Sequence, residues 1–171
     1  MHMNDSQEIN APVEQVWAAI LDAEILKQCV PGCTEMAGNA EDGFDATVVQ
    51  KVGPVKATFK GHVSLSDMNA PNSLHLSGEG KGGAAGFAKG GADVSLSATE
   101  NGGTLLEYTV EAKVGGKLAQ LGSRIVDGFA KKMADQFFTN FKTAIEGPSE
   151  EGETDGEDSG EKKGWFKRIV S

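Results

Sequence analysis

The sequence is poor in the residues that most often carry chemistry. It holds two cysteines and three histidines in 171 residues. Cys29 and Cys33 are too few for the disulfide framework of a small extracellular module, which points to a reducing compartment. No histidine cluster accompanies them, so they do not form a four-ligand zinc site, and with Pro31-Gly32 between them they suit a small apolar filler near a cavity mouth. No stretch approaches the roughly 18 apolar residues of a membrane span, and no apolar core follows a basic start at the N-terminus. A cytoplasmic, non-integral protein is expected. Positive charge is scarce as well. The formal net charge is −9, and only the extreme C-terminus offers the clustered basic face that phosphate binding needs, so nucleic acid is not expected as a partner.

What the sequence does have is periodicity. Residues 6–11 read as a short strand, and Pro12 followed by Glu14 opens a helix, because proline is pre-set for the first turn and an acid suits its positive end. Val13, Val16, Trp17, Ile20 and Leu21 continue it at helical spacing to Asp22, and a second short helix is expected over residues 23–28. From residue 34 to 113 the period changes to two and Gly, Pro and Asn recur between the runs, predicting about six antiparallel strands. Alternation turns Ala57, Phe59, Gly61, Val63 and Leu65 one way, with Phe44, Ala46, Val48, Gln50 and Val52, with Gly78 and Gly80, and with Leu106, Tyr108, Val110 and Ala112. His62 and His75 fall on the other face. Tyr108 and Gln50 are the polar side chains turned inward.

After Gly115-Gly116, Leu118, Leu121, Ile125, Phe129, Met133, Phe137, Phe141 and Ile145 form one apolar stripe. This predicts a helix of seven to eight turns gripped by the sheet, an α+β layer pair. The small inward residues either let the sheet bend sharply or leave room for a ligand.

Several signals carry less than their form suggests. Gly78-Glu79-Gly80-Lys81-Gly82-Gly83 satisfies G-x-G-x-x-G, but a dinucleotide site needs a helix to open there, and the alternating residues 93–99 predict strand, loop and strand instead. With both histidines outward and most acids outside, no nucleophilic or metal constellation forms.

Gly147-Pro148 stops the helix, and residues 147–160 are Gly, Ser, Thr and acid without apolar residues, a disordered tether. In residues 161–171, Trp165, Phe166, Ile169 and Val170 share one helical arc, with Lys167 and Arg168 opposite and Lys162 and Lys163 upstream. That pattern fits a weak, salt-sensitive contact with an anionic membrane surface or with a protein groove.

Ala11-Pro12 with Val16-Trp17, Val30-Pro31-Gly32-Cys33, Val52-Gly53-Pro54-Val55-Lys56-Ala57, Gly86-Phe87-Ala88 with Gly90, and Val114-Gly115-Gly116-Lys117-Leu118-Ala119-Gln120 together resemble the carbon monoxide dehydrogenase G-subunit family, a branch of the START-like superfamily. The resemblance runs over about residues 4–146. It implies a START-like helix-grip domain over residues 1–146, with a curved antiparallel sheet of about six or seven strands around a long C-terminal helix and an internal hydrophobic cavity. Leu26, Val30, Phe44, Val48, Gln50, Phe59, Phe87, Tyr108, Leu121, Ile125, Phe129 and Met133 are expected to line that cavity. It further implies a non-enzymatic protein on the cytoplasmic face of the cell membrane that binds a respiratory quinone, menaquinone or ubiquinone. Its partner would be a molybdenum-containing enzyme of the carbon monoxide dehydrogenase type. A purely structural recruitment adaptor and a cyclase-type enzyme are the alternatives.

Overall fold

The computed structural model describes residues 1–147. The acidic tether beyond Gly147 and the basic tail therefore lie outside the described residues. Met1–Phe141 form one compact unit, and Lys142 begins a second.

Period-two patterning builds seven strands: β1 (His2–Ile9), β2 (Cys33–Asn39), β3 (Gly43–Val52), β4 (Val55–Asn69), β5 (Ser73–Lys81), β6 (Phe87–Ala98) and β7 (Thr104–Gly115). They form one sheet in the order β1-β7-β6-β5-β4-β3-β2, each pair antiparallel. Strands β2 to β7 are neighbours in sequence and in space, whereas the first strand pairs with the last. That pairing lengthens β1 beyond expectation. The ladder runs from His2 opposite Glu111 to Ile9 opposite Thr104, so β1 begins four residues earlier than the local pattern of residues 6–11 suggested. Its polar residues carry little strand propensity, and the partner strand supplies the order.

The curvature has a backbone cause. A Cβ added at Gly90 would stand 2.2 Å from the Glu111 carbonyl oxygen, and one at Gly61 would stand 2.8 Å from that of Glu79. Neighbouring strands approach there more closely than any side chain permits.

The helices are α1 (Val13–Ile20), α2 (Ala23–Cys29), α3 (Lys117–Gln120) and α4 (Ser123–Glu146). Asp22, expected to end the first helix, caps the second: its carboxylate accepts from Glu24 N–H at 2.9 Å and Ile25 N–H at 3.4 Å. The long helix also differs from expectation. Gly122 adopts φ +91°, a left-handed conformation that stops the helical ladder. One turn of α3 therefore precedes the 24 residues of α4, in place of a single run from residue 118.

Ile9, Val16, Leu106 and Phe141 are at most 2% exposed and belong with Leu74 and Leu96 to the buried core. Each such side chain contributes about 1.5–3 kcal/mol on burial. Thr104 is fully buried and its Oγ1 donates to Ala11 O at 2.7 Å, so the start of β7 is tied to the link between β1 and α1. Asn140 Nδ2 donates to Cys29 O at 3.0 Å, tying α4 to the end of α2.

Candidate functional site

Across the inward face the register sets Gly61 beside Gly80 and Gly80 beside Ala88, with Gly78 beside Gly90 and Gly90 beside Ala112 in the next row. No side chain in this band is larger than a methyl group. Opposite it, α4 presents Val126, Phe129, Ala130, Met133, Ala134 and Phe137, and the space between holds a cavity of about 480 Å³. Val30, Pro31, Val48, Val52, Phe59, Val110, Val114 and Leu118 close its sides, with Met1 and Met3 at the β1 edge. A second cavity of about 430 Å³ lies along the glycine band, sharing Val30, Val48, Phe59, Ala88, Val110 and Ala112 with the first. A third, of about 240 Å³, shares Met3, Val110, Ala134 and Phe137 with it and reaches Leu26 and Tyr108. The first two fall in the roughly 300–1,000 Å³ range of small-molecule sites.

The glycines separate two causes that sequence leaves entangled. A Cβ on Gly90 or Gly61 meets backbone, whereas one on Gly80 meets nothing within 4 Å. Gly90 and Gly61 serve the bend, and Gly80 leaves room.

The lining is almost wholly apolar. Among the described residues no charged side chain lines the 480 Å³ cavity, and Gln50 contributes its polar atoms. Gln50 Nε2 donates to Pro31 O at 2.7 Å, while Val49 N–H donates to Gly32 O at 2.9 Å. Together these bonds hold the segment after α2 against β3. Gly32 is required there, since its φ is +78° and a Cβ would stand 2.1 Å from Val49 O. Gln50 thus builds the cavity wall with one amide N–H, which leaves its second N–H and its carbonyl oxygen for a ligand.

Tyr108 is 5% exposed and its ring stacks on Phe138 at 5.2 Å. Burial raises its phenol pKa, and the nearby carboxylate of Asp5 raises it further, so Tyr108 is a neutral hydrogen-bond donor at physiological pH. It lines the third cavity and not the first. Lys131, paired with Asp135 at 2.9 Å, is held protonated by that bond. Burial pushes the Cys29 thiol up to about 11, and Cys33 is also raised, mainly by burial, while donating to Glu35 O at 3.2 Å. Neither cysteine carries a thiolate at neutral pH.

Of the residues expected to line the cavity, Val30, Val48, Gln50, Phe59, Phe129 and Met133 surround the 480 Å³ space, and Leu26 and Tyr108 the 240 Å³ one. Four lie elsewhere. Phe44 is inward and 4% exposed, but sits opposite Val63 outside the three linings. Phe87 projects from the convex face, because Ala88 beside it takes the inward position; it is 41% exposed. Leu121 and Ile125 stand beside the β3–β4 turn, 3.9 Å and 3.7 Å from where a Cβ on Gly53 would lie. The break at Gly122 sets the phase of α4 so that Val126 takes the inward place. Met1 and Met3, which sequence reasoning missed, line the cavity, as do the small residues Ala88, Ala130 and Ala134. Period-two alternation in β6 and the i, i+4 series 126, 130, 134 were the signals available for the small residues.

On the convex face His62 pairs with Asp45 and His75 with Asp93, each at 2.8 Å. No group of three or more His, Cys, Asp or Glu that could hold a metal ion occurs among the described residues. Gly78 to Lys81 lies in β5 and a single 3-10 turn at Gly83–Ala85 follows, so no helix opens at the glycine motif. No helix among the described residues is long and apolar enough to cross a membrane.

The family described as the carbon monoxide dehydrogenase G subunit (CoxG) matches residues 6–146. A conserved protein from Geobacillus kaustophilus is 31% identical with a TM-score of 0.79, over 85% of this chain and 95% of that one. A START superfamily protein from Mycobacterium smegmatis is 14% identical with a TM-score of 0.65, over 85% and 97%. A protein from Arthrobacter aurescens is 14% identical with a TM-score of 0.61, over 86% and 87%. The last two likenesses concern the fold, a helix-grip architecture of the START type. None of the curated proteins matches the sequence.

Proposed function

Because the chain belongs to the CoxG family of carbon monoxide dehydrogenase subunits, we propose that it is a non-enzymatic accessory protein. It binds a quinone-like lipid, menaquinone or ubiquinone, in its cavity, and couples a molybdenum hydroxylase of the carbon monoxide dehydrogenase type to the cytoplasmic membrane. The observation that carries this is the 480 Å³ cavity, walled by aliphatic, aromatic and methionine side chains with Gln50 as its polar member. A lipid ring and isoprenoid chain need apolar contact along their length and one or two hydrogen-bond partners at the carbonyls. Gln50 supplies a donor and an acceptor, the acceptor suited to the hydroxyl of the reduced form. Adjoining spaces along the glycine band and toward Tyr108 extend the path for the chain. Residues 161–171 supply a reversible membrane contact.

A cyclase-type reaction draws less support. It needs a proton acceptor beside the ligand, and Tyr108, with its pKa raised by burial, stays protonated.

The test is lipid extraction with native mass spectrometry on full-length protein purified from a quinone-containing host. One quinone per chain is expected. Repeated recovery of an empty chain, with no binding of added menaquinone or ubiquinone, would refute the carrier function and leave a structural adaptor. Removing residues 161–171 is expected to reduce membrane association while leaving quinone affinity unchanged.

A further inference from the structure

The β3–β4 turn at Gly53, the β5–β6 connection and the link from β7 to α3 all lie at one end of the sheet, because consecutive strands run antiparallel. The outward rows nearest that end are basic. The register puts Lys51 opposite Lys56 and Lys60 opposite Lys81, and one row further in Lys89 stands between Lys113 and Glu79. Like charges facing each other across a ladder destabilise it. Among the described residues none of these six lysines forms an ion pair with a carboxylate, whereas both histidines of the same face have one. Such a cluster in a chain of net charge −9 is not explained by the fold.

Phe87 sits within this cluster, opposite Lys81 on one side and Gly115 on the other. Its ring lies over Gly115, where a Cβ would be 2.2 Å from Phe87 Cε1, and it remains 41% exposed. Ile125, 43% exposed, stands beside Gly53 at the same end. The 480 Å³ cavity reaches this end too, through Val52, Val114 and Leu118 at the ends of β3 and β7 and in α3. At the opposite end Ile9, Leu96, Thr104 and Leu106 are at most 5% exposed.

From this coincidence of unpaired lysines, exposed apolar side chains and cavity, we infer that the turn end of the domain docks on an anionic lipid bilayer. The lysines meet the headgroups, Phe87 and Ile125 enter the boundary, and the cavity is brought to the lipid. An acidic protein surface would satisfy the lysines but leave the exposed apolar pair without a role. The inference rests on the carrier function in one respect only, that the docked end is the one through which cargo passes.

Hydrogen–deuterium exchange of the full-length chain tests it, with vesicles of phosphatidylcholine alone and with phosphatidylglycerol added to about a third. Protection is expected in residues 51–56, 81–89 and 113–117 with the anionic vesicles and not with the neutral ones. Combined Lys51→Glu, Lys56→Glu, Lys81→Glu and Lys113→Glu is expected to weaken co-sedimentation with anionic vesicles at least about 100-fold, since each basic residue near such a surface contributes roughly a factor of five. Its quinone affinity in solution should be unchanged. If the full-length chain sediments with anionic vesicles while those segments stay unprotected, the tail alone makes the contact and the inference is overturned. It is equally overturned if the reversed chain binds vesicles like the parent but no longer associates with the carbon monoxide dehydrogenase-type enzyme. A chain that binds no quinone yet shows the protection would remove the carrier function and leave the docking face standing.

Discussion

The two ends of the concave face share one sheet and one helix, yet one leaves a space of about 240 Å³ and the other a space of about 480 Å³. Where β5, β6 and β7 carry Leu74, Leu96 and Leu106 inward, these side chains belong with Val16, Phe138 and Phe141 to a core at most 8% exposed. Where the same strands carry Gly80, Ala88 and Ala112, α4 stands over space. Side-chain volume differs between the two by several carbons per position, and the backbone of the second is bent at Gly61 and Gly90. A cavity in this fold therefore follows from a bent stretch of sheet whose inward residues are too small to fill the gap that a helix spans.

The sharpest test of this contrast compares two truncations on α4. Phe141→Ala is expected to cost about 4 kcal/mol, as for other fully buried aromatics, while Met133→Ala, whose side chain already borders open space, should cost under about 1.5 kcal/mol. Chemical denaturation of both variants measures this, and equal losses would mean that the hollow end collapses in solution. Next in size, Gly90→Ala is expected to destabilise by about 3 kcal/mol, because its Cβ meets the Glu111 carbonyl at 2.2 Å. Gly80→Leu should cost under about 1 kcal/mol and weaken quinone binding at least about tenfold by filling the space. A binding titration beside the melting curve separates the two effects.

Cys29 provides a pH test of the buried core. Its thiol is fully buried and shifted from 9.0 to about 11, so the folded chain keeps a proton that the unfolded chain releases first. Stability from this group is complete below pH 9 and is lost as pH rises to about 11, amounting to about 2 kcal/mol. Denaturation midpoints from pH 8 to 11 should therefore fall more steeply for the parent than for Cys29→Ala. The smallest effect concerns the rim of α2: Asp22→Ala removes the cap bonds to Glu24 and Ile25 and should cost about 1 kcal/mol, read from the thermal midpoint.

Much of this molecule is legible in the sequence because local rules dominate where neighbours in sequence are neighbours in space. Strands β2 to β7 pair in chain order, so alternation alone sorted their faces, and Val48, Phe59 and Val110 could be placed inward from period two. The places where expectation failed are those that depend on distant partners. Strand β1 owes its first four residues to β7, 100 or more residues away. Phe87 looks like a lining aromatic until the register of β6 shows that Ala88 holds the inward position.

Composition and periodicity by themselves determined the α+β class, the sheet followed by an amphipathic helix, and an inward face with a run of small residues. The hollow itself was decided by tertiary structure. Glycine is compatible with a bend and with a void, and only the distance from each missing Cβ to its neighbours tells the two apart: backbone at Gly90, open space at Gly80. Gln50 likewise is a buried polar residue in the sequence, and its task of holding Pro31 against the wall arises only once α2 has been folded back onto β3.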